Sequence, residues 1–385
     1  MKNKMKILSF FLALVIAFAV TSCTPGKPAE TTPVTEGPTE TLTEAPTEAP
    51  TEEATEPTDP ETFVFTDSAG REVELPVNIE RIVPSGPLGQ QILLSIAGDM
   101  LVALTNDVSD GQAFYLGEHY KELPVVGQFF GSQDMNMEEL ARLAPQVVID
   151  IGEPKGSIAE DMDTITMQTG IPAIFIEADL VNSGDAYRTL GELLGKVEKG
   201  AALGDYCDRV YADVTSKMNE IPEEDRYSFA YLMGDNGLNA LSEGTYHATI
   251  MDMLGNNVVE VESPSSRGSG DEINMEQLII WDPEYIFFAS GSVYSEVETD
   301  SAFSTLKAIQ AGNYYEVPGL PYSWLGSPPS VNRYIGLQWM AYILYPDVFT
   351  EDFEGITLEY YKLFYDFEMS SEEYSEMMVN STLEK

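Results

Sequence analysis

The chain is poorly equipped for covalent chemistry. Its 385 residues hold two histidines, His119 and His247, and two cysteines, Cys23 and Cys207. That is too few for a multi-histidine metal cage or a zinc-type His/Cys cluster. No Gly-x-Ser-x-Gly elbow and no Gly-x-x-x-x-Gly-Lys phosphate loop occurs. Carboxylates abound, but their spacing singles out no acid–base pair. What remains is binding chemistry. Tyr246 and His247 set a phenol beside an imidazole, groups that complete the coordination of a ferric complex or simply hydrogen-bond to a ligand. Arg267 and Arg333 stand out in an acidic chain; guanidinium groups suit bidentate pairing with carboxylates or oxyanions, and equally the salt bridges of a folded body. Trp324 offers an indole, either to cover the apolar face of a ligand or to fill a core.

These side chains need a scaffold, and the sequence repeats one. Gly131-Ser132-Gln133-Asp134-Met135-Asn136-Met137-Glu138-Glu139-Leu140 returns, one residue longer, as Gly268-Ser269-Gly270-Asp271-Glu272-Ile273-Asn274-Met275-Glu276-Gln277-Leu278. Each copy runs through a short helical segment to Pro145 or Pro283, then into an apolar run that reads as a buried strand. Around the first copy, residues 92–97, 137–143 and 161–169 read as helices and 101–104, 147–151 and 173–176 as strands. Around the second, 229–233 and 258–261 read as strands and 245–254 as a helix, with Thr245 as its N-cap. This alternation implies an α/β fold of two lobes with parallel sheets and crossover helices. Between them Leu203, Tyr206, Cys207, Val210, Tyr211, Val214 and Met218 recur at three and four, one face of a helix over about 197–219 that spans roughly 33 Å. A helix of that length can strut both lobes, with Cys207 as a packed core thiol.

In such folds ligands gather beyond the C-terminal ends of the strands. That selects Ser85, Gln128, Phe129 and Glu153 on loops of the first lobe, and Tyr246, His247, Arg267 and Trp324 on loops of the second, with Arg333 close behind.

The N-terminus supplies an address. Lys2, Lys4 and Lys6 precede an apolar run too short for a comfortable membrane span, so residues 1–22 read as a signal peptide. Val20-Thr21-Ser22-Cys23 resembles a bacterial lipobox, which would make Cys23 the lipidated first residue of the mature protein. Residues 23–61, rich in Thr, Glu and Pro, form an extended linker whose length suits a Gram-positive cell wall. The remaining expected boundaries are a first lobe over 62–182, the linking helix region over 183–222, a second lobe over 223–346 and a helical tail over 347–385, with Ser370 and Glu373 as a capping box. A net charge of −44 argues against nucleic acid and anionic headgroups as partners.

The hairpin Asp67-x-x-Gly70-Arg71-x-Val73-x-Leu75-Pro76, followed by Arg81-Ile82-Val83, resembles the opening of the class III ABC-importer binding proteins, the Fe/cobalamin periplasmic-binding-protein family. Pro124-Val125-Val126-Gly127, Leu254-Gly255-Asn256-Asn257-Val258 and Leu337-Gln338-Trp339 to Tyr345-Pro346 follow in that family's order, so the likeness covers about 62–350. The resemblance implies two Rossmann-like lobes joined by one interdomain helix. It also implies a monomeric, lipid-anchored solute-binding protein and no enzyme. Such a protein holds no covalent cofactor; it captures a ferric siderophore, haem or cobalamin and delivers it to a permease dimer driven by a separate ATPase. In the family's cobalamin binders a cleft tryptophan precedes Ser-Pro-Arg; Trp324 precedes Ser327-Pro328-Pro329, where the arginine is absent and Arg333 is the nearest substitute. One glutamate per lobe docks the importers to arginines of the permease, and the matching positions are Glu138 and Glu276. Molybdate or tungstate is the alternative ligand class. A tetrapyrrole chelatase and a surface sensor or adhesin are the alternative functions.

Overall fold

The computed structural model describes residues 61–129, 134–326 and 328–383. The expected signal peptide, Cys23 and the linker to residue 60 lie outside them, as do Gly131, Ser132 and Gln133 of the first repeat.

Strands β1 (Thr62–Thr66) and β2 (Glu72–Pro76) form the expected antiparallel hairpin. Its turn explains the motif. Asp67 Oδ1 accepts the backbone N–H groups of Ala69 and Arg71 at 3.0 and 2.9 Å, Gly70 takes a φ of 76°, and Asp67 Oδ2 pairs with Arg71 Nη1 at 2.9 Å. Asp67 Oδ2 also accepts the Phe175 N–H, which seats the hairpin on the first sheet.

That sheet is parallel, with β3 (Ile82–Pro84), β4 (Val147–Gly152) and β5 (Ala173–Glu177) side by side in that order. β4 is buried at every position, as its unbroken apolar run requires in a parallel sheet. The residues 101–104, expected as a strand, make only isolated parallel bridges, Ile82 to Leu101 and Leu104 to Val125. Helix α1 (Pro87–Ala97) starts well before residue 92, because Pro87 occupies the first turn, where its missing N–H costs nothing. Helices α2 (Asp110–Leu116), α3 (Met137–Leu143), α4 (Ile158–Thr169) and α5 (Ser183–Leu193) complete the lobe.

Helix α6 (Val197–Met218) is the long helix. Leu203, Tyr206, Cys207, Val210, Val214 and Met218 are buried and Tyr211 is half-buried, so the periodic face is the packed one. α6 lies close against α5 through glycines: a Cβ on Gly200 would stand 2.5 Å from the Tyr187 carbonyl, and one on Gly204 2.7 Å from the Gly184 carbonyl.

The second lobe is a mixed sheet. Its strands are β6 (Ser228–Met233), β7 (Asn239–Ala240), β8 (Asn256–Asn257), β9 (Asp271–Glu272), β10 (Tyr285–Phe288) and β11 (Tyr314–Glu316), in the order β11-β10-β6-β7-β9 with β8 also beside β6. β11, β10, β6 and β8 run parallel; β7 is antiparallel to both β6 and β9. The strand expected at 258–261 is instead the short pair Asn256–Asn257, where Asn257 Nδ2 donates to the Leu241 carbonyl at 3.1 Å and to Asp252 Oδ1 at 3.0 Å. Helices α7 (Thr249–Leu254), α8 (Met275–Trp281), α9 (Lys307–Ala311) and α10 (Asn332–Leu344) follow, and α6 packs against α7 and α10 as well as α1 and α5. It therefore touches both lobes. The tail adds α11 (Phe353–Tyr365) and α12 (Ser371–Met377), the latter opened by the Ser370–Glu373 box at 3.2 and 2.7 Å.

The repeated sequence folds into a repeated structure. Asn136 caps α3 by accepting the Glu139 N–H at 3.0 Å, and Asn274 caps α8 by accepting the Gln277 N–H at 2.9 Å. Both helices end on a left-handed residue, Ala144 at φ 46° and Asp282 at φ 38°, before a proline and then β4 or β10.

Candidate functional site: an interlobe cleft with a buried arginine

The two sheets turn the C-terminal ends of their parallel strands toward one cleft, which holds two chambers. The larger, about 520 Å³, sets Gln90, Asn106 and Gln112 of the first lobe opposite Tyr231, Ser290 and Tyr322 of the second. The smaller, about 220 Å³, sets Leu88, Glu153 and Lys155 opposite Tyr246, His247 and Pro329. Between them the lobes touch: Ser330 Oγ donates to the Leu88 carbonyl at 3.1 Å and Gln91 Nε2 to the Pro328 carbonyl at 3.4 Å.

Arg333, on the first turn of α10, is only 3% exposed and lines neither chamber directly; it sits in a crevice with Leu88, Gly152 and Pro329, which also wall the smaller chamber. Its guanidinium lies 5.0 Å from the Tyr246 ring centre, and Nη2 donates to the Tyr246 hydroxyl at 3.4 Å. Nε has no hydrogen-bond partner among the described residues, and no carboxylate there lies within ion-pairing distance. A buried cation without a counter-charge is expensive. The walls respond to it. Burial pushes the Glu153 carboxyl up from the usual range, and Arg333 pulls it back. Burial likewise raises the Tyr246 phenol, again opposed by Arg333. His247 is pushed below its ordinary value by burial, with Arg333 adding to the effect. Its Nδ1 lies 3.3 Å from the Gly326 carbonyl, which can only accept; the neutral ring therefore carries its proton on Nδ1 and keeps Nε2 as an acceptor. Among the described residues no group of three or more His, Cys, Asp and Glu side chains could hold a metal ion.

The expected site residues separate into three groups. Glu153, Tyr246, His247 and Arg333 come together around the smaller chamber. Ser85, Gln128 and Phe129 stand behind the walls: the Ser85 hydroxyl is fully buried and donated to Asp150, Gln128 reaches the larger chamber only by donating to Asn106 Oδ1 at 2.6 Å, and Phe129 packs on the first-lobe core. Arg267 and Trp324 lie elsewhere. Arg267 is exposed in a turn where its N–H bonds Ser265 Oγ at 3.1 Å, and it lines neither chamber. Trp324 is 1% exposed, edge-on to Trp339 at 6.2 Å and Phe353 at 6.1 Å, with Nε1 donating to the Tyr361 hydroxyl at 3.4 Å. It is a core residue, because Gly336 of α10 admits its backbone: a Cβ there would meet the Trp324 carbonyl at 1.9 Å. Thr245 takes the expected N-cap position in extended conformation, but its side chain caps no N–H. Its hydroxyl donates to the Ser242 carbonyl at 2.8 Å, and residues Tyr246–Ala248 form a 3₁₀ turn before α7.

Sequence reasoning did not single out Gln90, Gln112 or Lys155. The legible signal was Gln90 in an otherwise apolar helix start: its Oε1 accepts from the Thr105 N–H and hydroxyl at 2.6 and 2.8 Å, holding the loop that carries Asn106. Glu138 and Glu276 are both exposed, one on each lobe, and both follow the first residue of a capped helix. Cys207 is buried, and desolvation pushes its thiol far up.

Residues 95–320 match the family model described as periplasmic binding protein. An ABC transporter solute-binding protein from Sulfurospirillum deleyianum is 28% identical at a TM-score of 0.76, covering 82% of this chain and 99% of its own. A periplasmic solute-binding protein from Veillonella parvula is 23% identical at a TM-score of 0.69, covering 83% and 98%. The molybdate-binding protein MolA of Haemophilus influenzae shares the fold at 17% identity and a TM-score of 0.61, covering 80% and 99%. No curated protein sequence matches. No helix among the described residues is long and apolar enough to cross a membrane.

Proposed function

Since this chain belongs to the periplasmic binding protein family, whose members serve ABC transporters as periplasmic or extracellular solute-binding proteins and not as enzymes, we propose that it captures an anionic metal chelate in its interlobe cleft. Binding proteins of this family deliver their ligand to an ABC permease.

The observation that carries the ligand class is Arg333, a buried cation with no carboxylate partner among the described residues, set beside a chamber. An anionic group of the ligand supplies the missing counter-charge through two charge-assisted hydrogen bonds. Tyr246 and His247 then face that group, and the His247 Nε2 lone pair is free to meet a metal the chelator leaves open. The neutral amides of Gln90, Asn106 and Gln112 suit the chelator's own donors and acceptors in the larger chamber. The burial of Trp324 removes the main support for a ligand with a broad apolar face, so a carboxylate-type ferric siderophore, which carries negative charge, fits better than haem or cobalamin. A bare oxyanion such as molybdate is the second reading, favoured by the small size of the chamber beside Arg333, about 220 Å³.

Titration calorimetry of the purified chain against ferric siderophores, haem, cobalamin and molybdate decides between them. Micromolar or tighter binding of one ferric siderophore supports the chelate. Binding of molybdate alone supports the oxyanion, and binding of none removes the anionic-ligand reading.

Delivery is proposed to use Glu138 and Glu276, one exposed carboxylate per lobe, as the docking pair for cationic permease residues. Anchoring is proposed through lipid on Cys23, and Cys23→Ser should release the protein from the cell membrane into the medium.

A further inference from the structure

The tail beyond the second lobe holds both walls of the larger chamber through one side chain. Tyr361 of α11 is fully buried. Its hydroxyl donates to the Leu320 carbonyl, on the second-lobe loop that lines the chamber with Leu320 and Tyr322. Its ring lies 5.4 Å from that of Tyr115 on α2, the first-lobe helix that also contributes Gln112 to the same chamber. Phe367, just past α11, adds rings at 5.0 Å from Tyr115 and 5.3 Å from Phe114. The far end of the tail is tied to the second lobe: Trp339 Nε1 donates to the Ser381 carbonyl at 2.8 Å, and the Glu316 N–H to the Asn380 carbonyl at 3.0 Å.

This arrangement has a mechanical meaning. The tail is tied at its far end to the second lobe while α11 also packs against α1 of the first, so any parting of α2 from the loop around Leu320 must either slide the Tyr115 and Phe114 rings off Tyr361 and Phe367 or pull Tyr361 from the Leu320 carbonyl. Aromatic packing of this kind is discrete and resists small displacements. Tyr361 touches the wall from each lobe. We propose that Tyr361 is a positioning residue of the larger chamber, and that with Phe367 it clamps α2 to the second lobe and so sets how far the cleft opens. The inference does not depend on which ligand the cleft takes.

Pulsed electron–electron resonance tests it without a ligand. Spin labels are placed at Glu122→Cys, beyond α2, and Ile280→Cys, exposed on α8, in the full chain carrying Cys23→Ser; the buried Cys207 escapes labelling. The parent should give one narrow distance distribution. Tyr361→Ala should broaden it toward longer distances, and Tyr361→Phe, which keeps the ring contacts and loses the hydroxyl's bonds to the Leu320 carbonyl and the Trp324 indole, should fall between. Phe114→Ala covers the case in which Tyr361→Ala does not fold, because Phe114 is 54% exposed and its loss empties no core; it too should broaden the distribution. Phe303→Ala, in the separate second-lobe core, should lower the melting temperature without broadening. Distributions that superimpose on the parent for Tyr361→Ala and Phe114→Ala overturn the clamp. So does equal broadening by Phe303→Ala, which would mean general loosening.

Discussion

The Arg333 guanidinium rests on the face of Tyr246, 5.0 Å from the ring centre, and its Nη2 donates to the same residue's hydroxyl at 3.4 Å. A buried cation is thus held by an aromatic face and a phenol, partners that orient it without neutralising it. Such a residue is organised for a counter-charge that arrives from outside.

Replacing Arg333 with Met separates binding from folding. The side chain keeps most of its volume and loses its charge, so binding of an anionic ligand should weaken by about 2–5 kcal/mol, as when one partner of a buried charge pair is removed. The ligand-free protein should melt at the same temperature or higher, since an unpaired buried charge is removed. Calorimetry and thermal melting check both; a large drop in ligand-free melting temperature would assign Arg333 to the structure instead.

His247 makes stability fall on the acid side. Its folded-state pKa is lowered from 6.5 by burial, with Arg333 adding to the effect. A lowered value means that the protein binds this proton less readily when folded. The stabilisation is therefore intact above about pH 6.5 and is lost as pH falls from there through the folded value. Melting temperatures from pH 7.5 down to 5 should show this limb in the parent. In His247→Gln it should flatten, while the acid loss caused by carboxylates at lower pH persists.

Trp324 belongs to the core, so its substitutions should act on stability. Trp324→Ala should cost about 3–5 kcal/mol, the usual penalty for emptying a buried aromatic site. Trp324→Phe should fold, melt lower and bind ligand with unchanged affinity. A selective loss of affinity in Trp324→Phe at normal stability would return the indole to the ligand.

Glu138→Lys with Glu276→Lys should abolish uptake in cells while leaving the melting temperature and ligand affinity unchanged, because both side chains are exposed and make no ion pair among the described residues. Loss of affinity in the purified double variant would instead reveal a structural role at the helix starts.

The local grammar of the fold was open to reading. The repeat announced two short helices, Pro145 and Pro283 their ends, and the spacing of Leu203, Tyr206, Cys207, Val210, Val214 and Met218 the buried face of α6. Each of these is set by interactions within a few residues, or by one periodic face meeting whatever lies opposite. The very short strands were less legible. Residues 101–104 and 258–261 have the right composition, but partners on another part of the chain decide which of them pair.

The same division holds at the site. From composition and spacing alone came the absence of the enzyme and metal motifs sought, the choice of loops at strand ends, and the chemical types Tyr246, His247 and Arg333. Tertiary structure decided which of the chemically equivalent candidates reach the cleft. Arg267 and Arg333 carry the same guanidinium, yet a turn exposes one and the first turn of α10 buries the other beside a chamber. Trp324 could have faced either way until Gly336 let α10 close over it. Residue type determines what a side chain can do; its solvation and its distant neighbours, contributed by residues far along the chain, determine whether it does so.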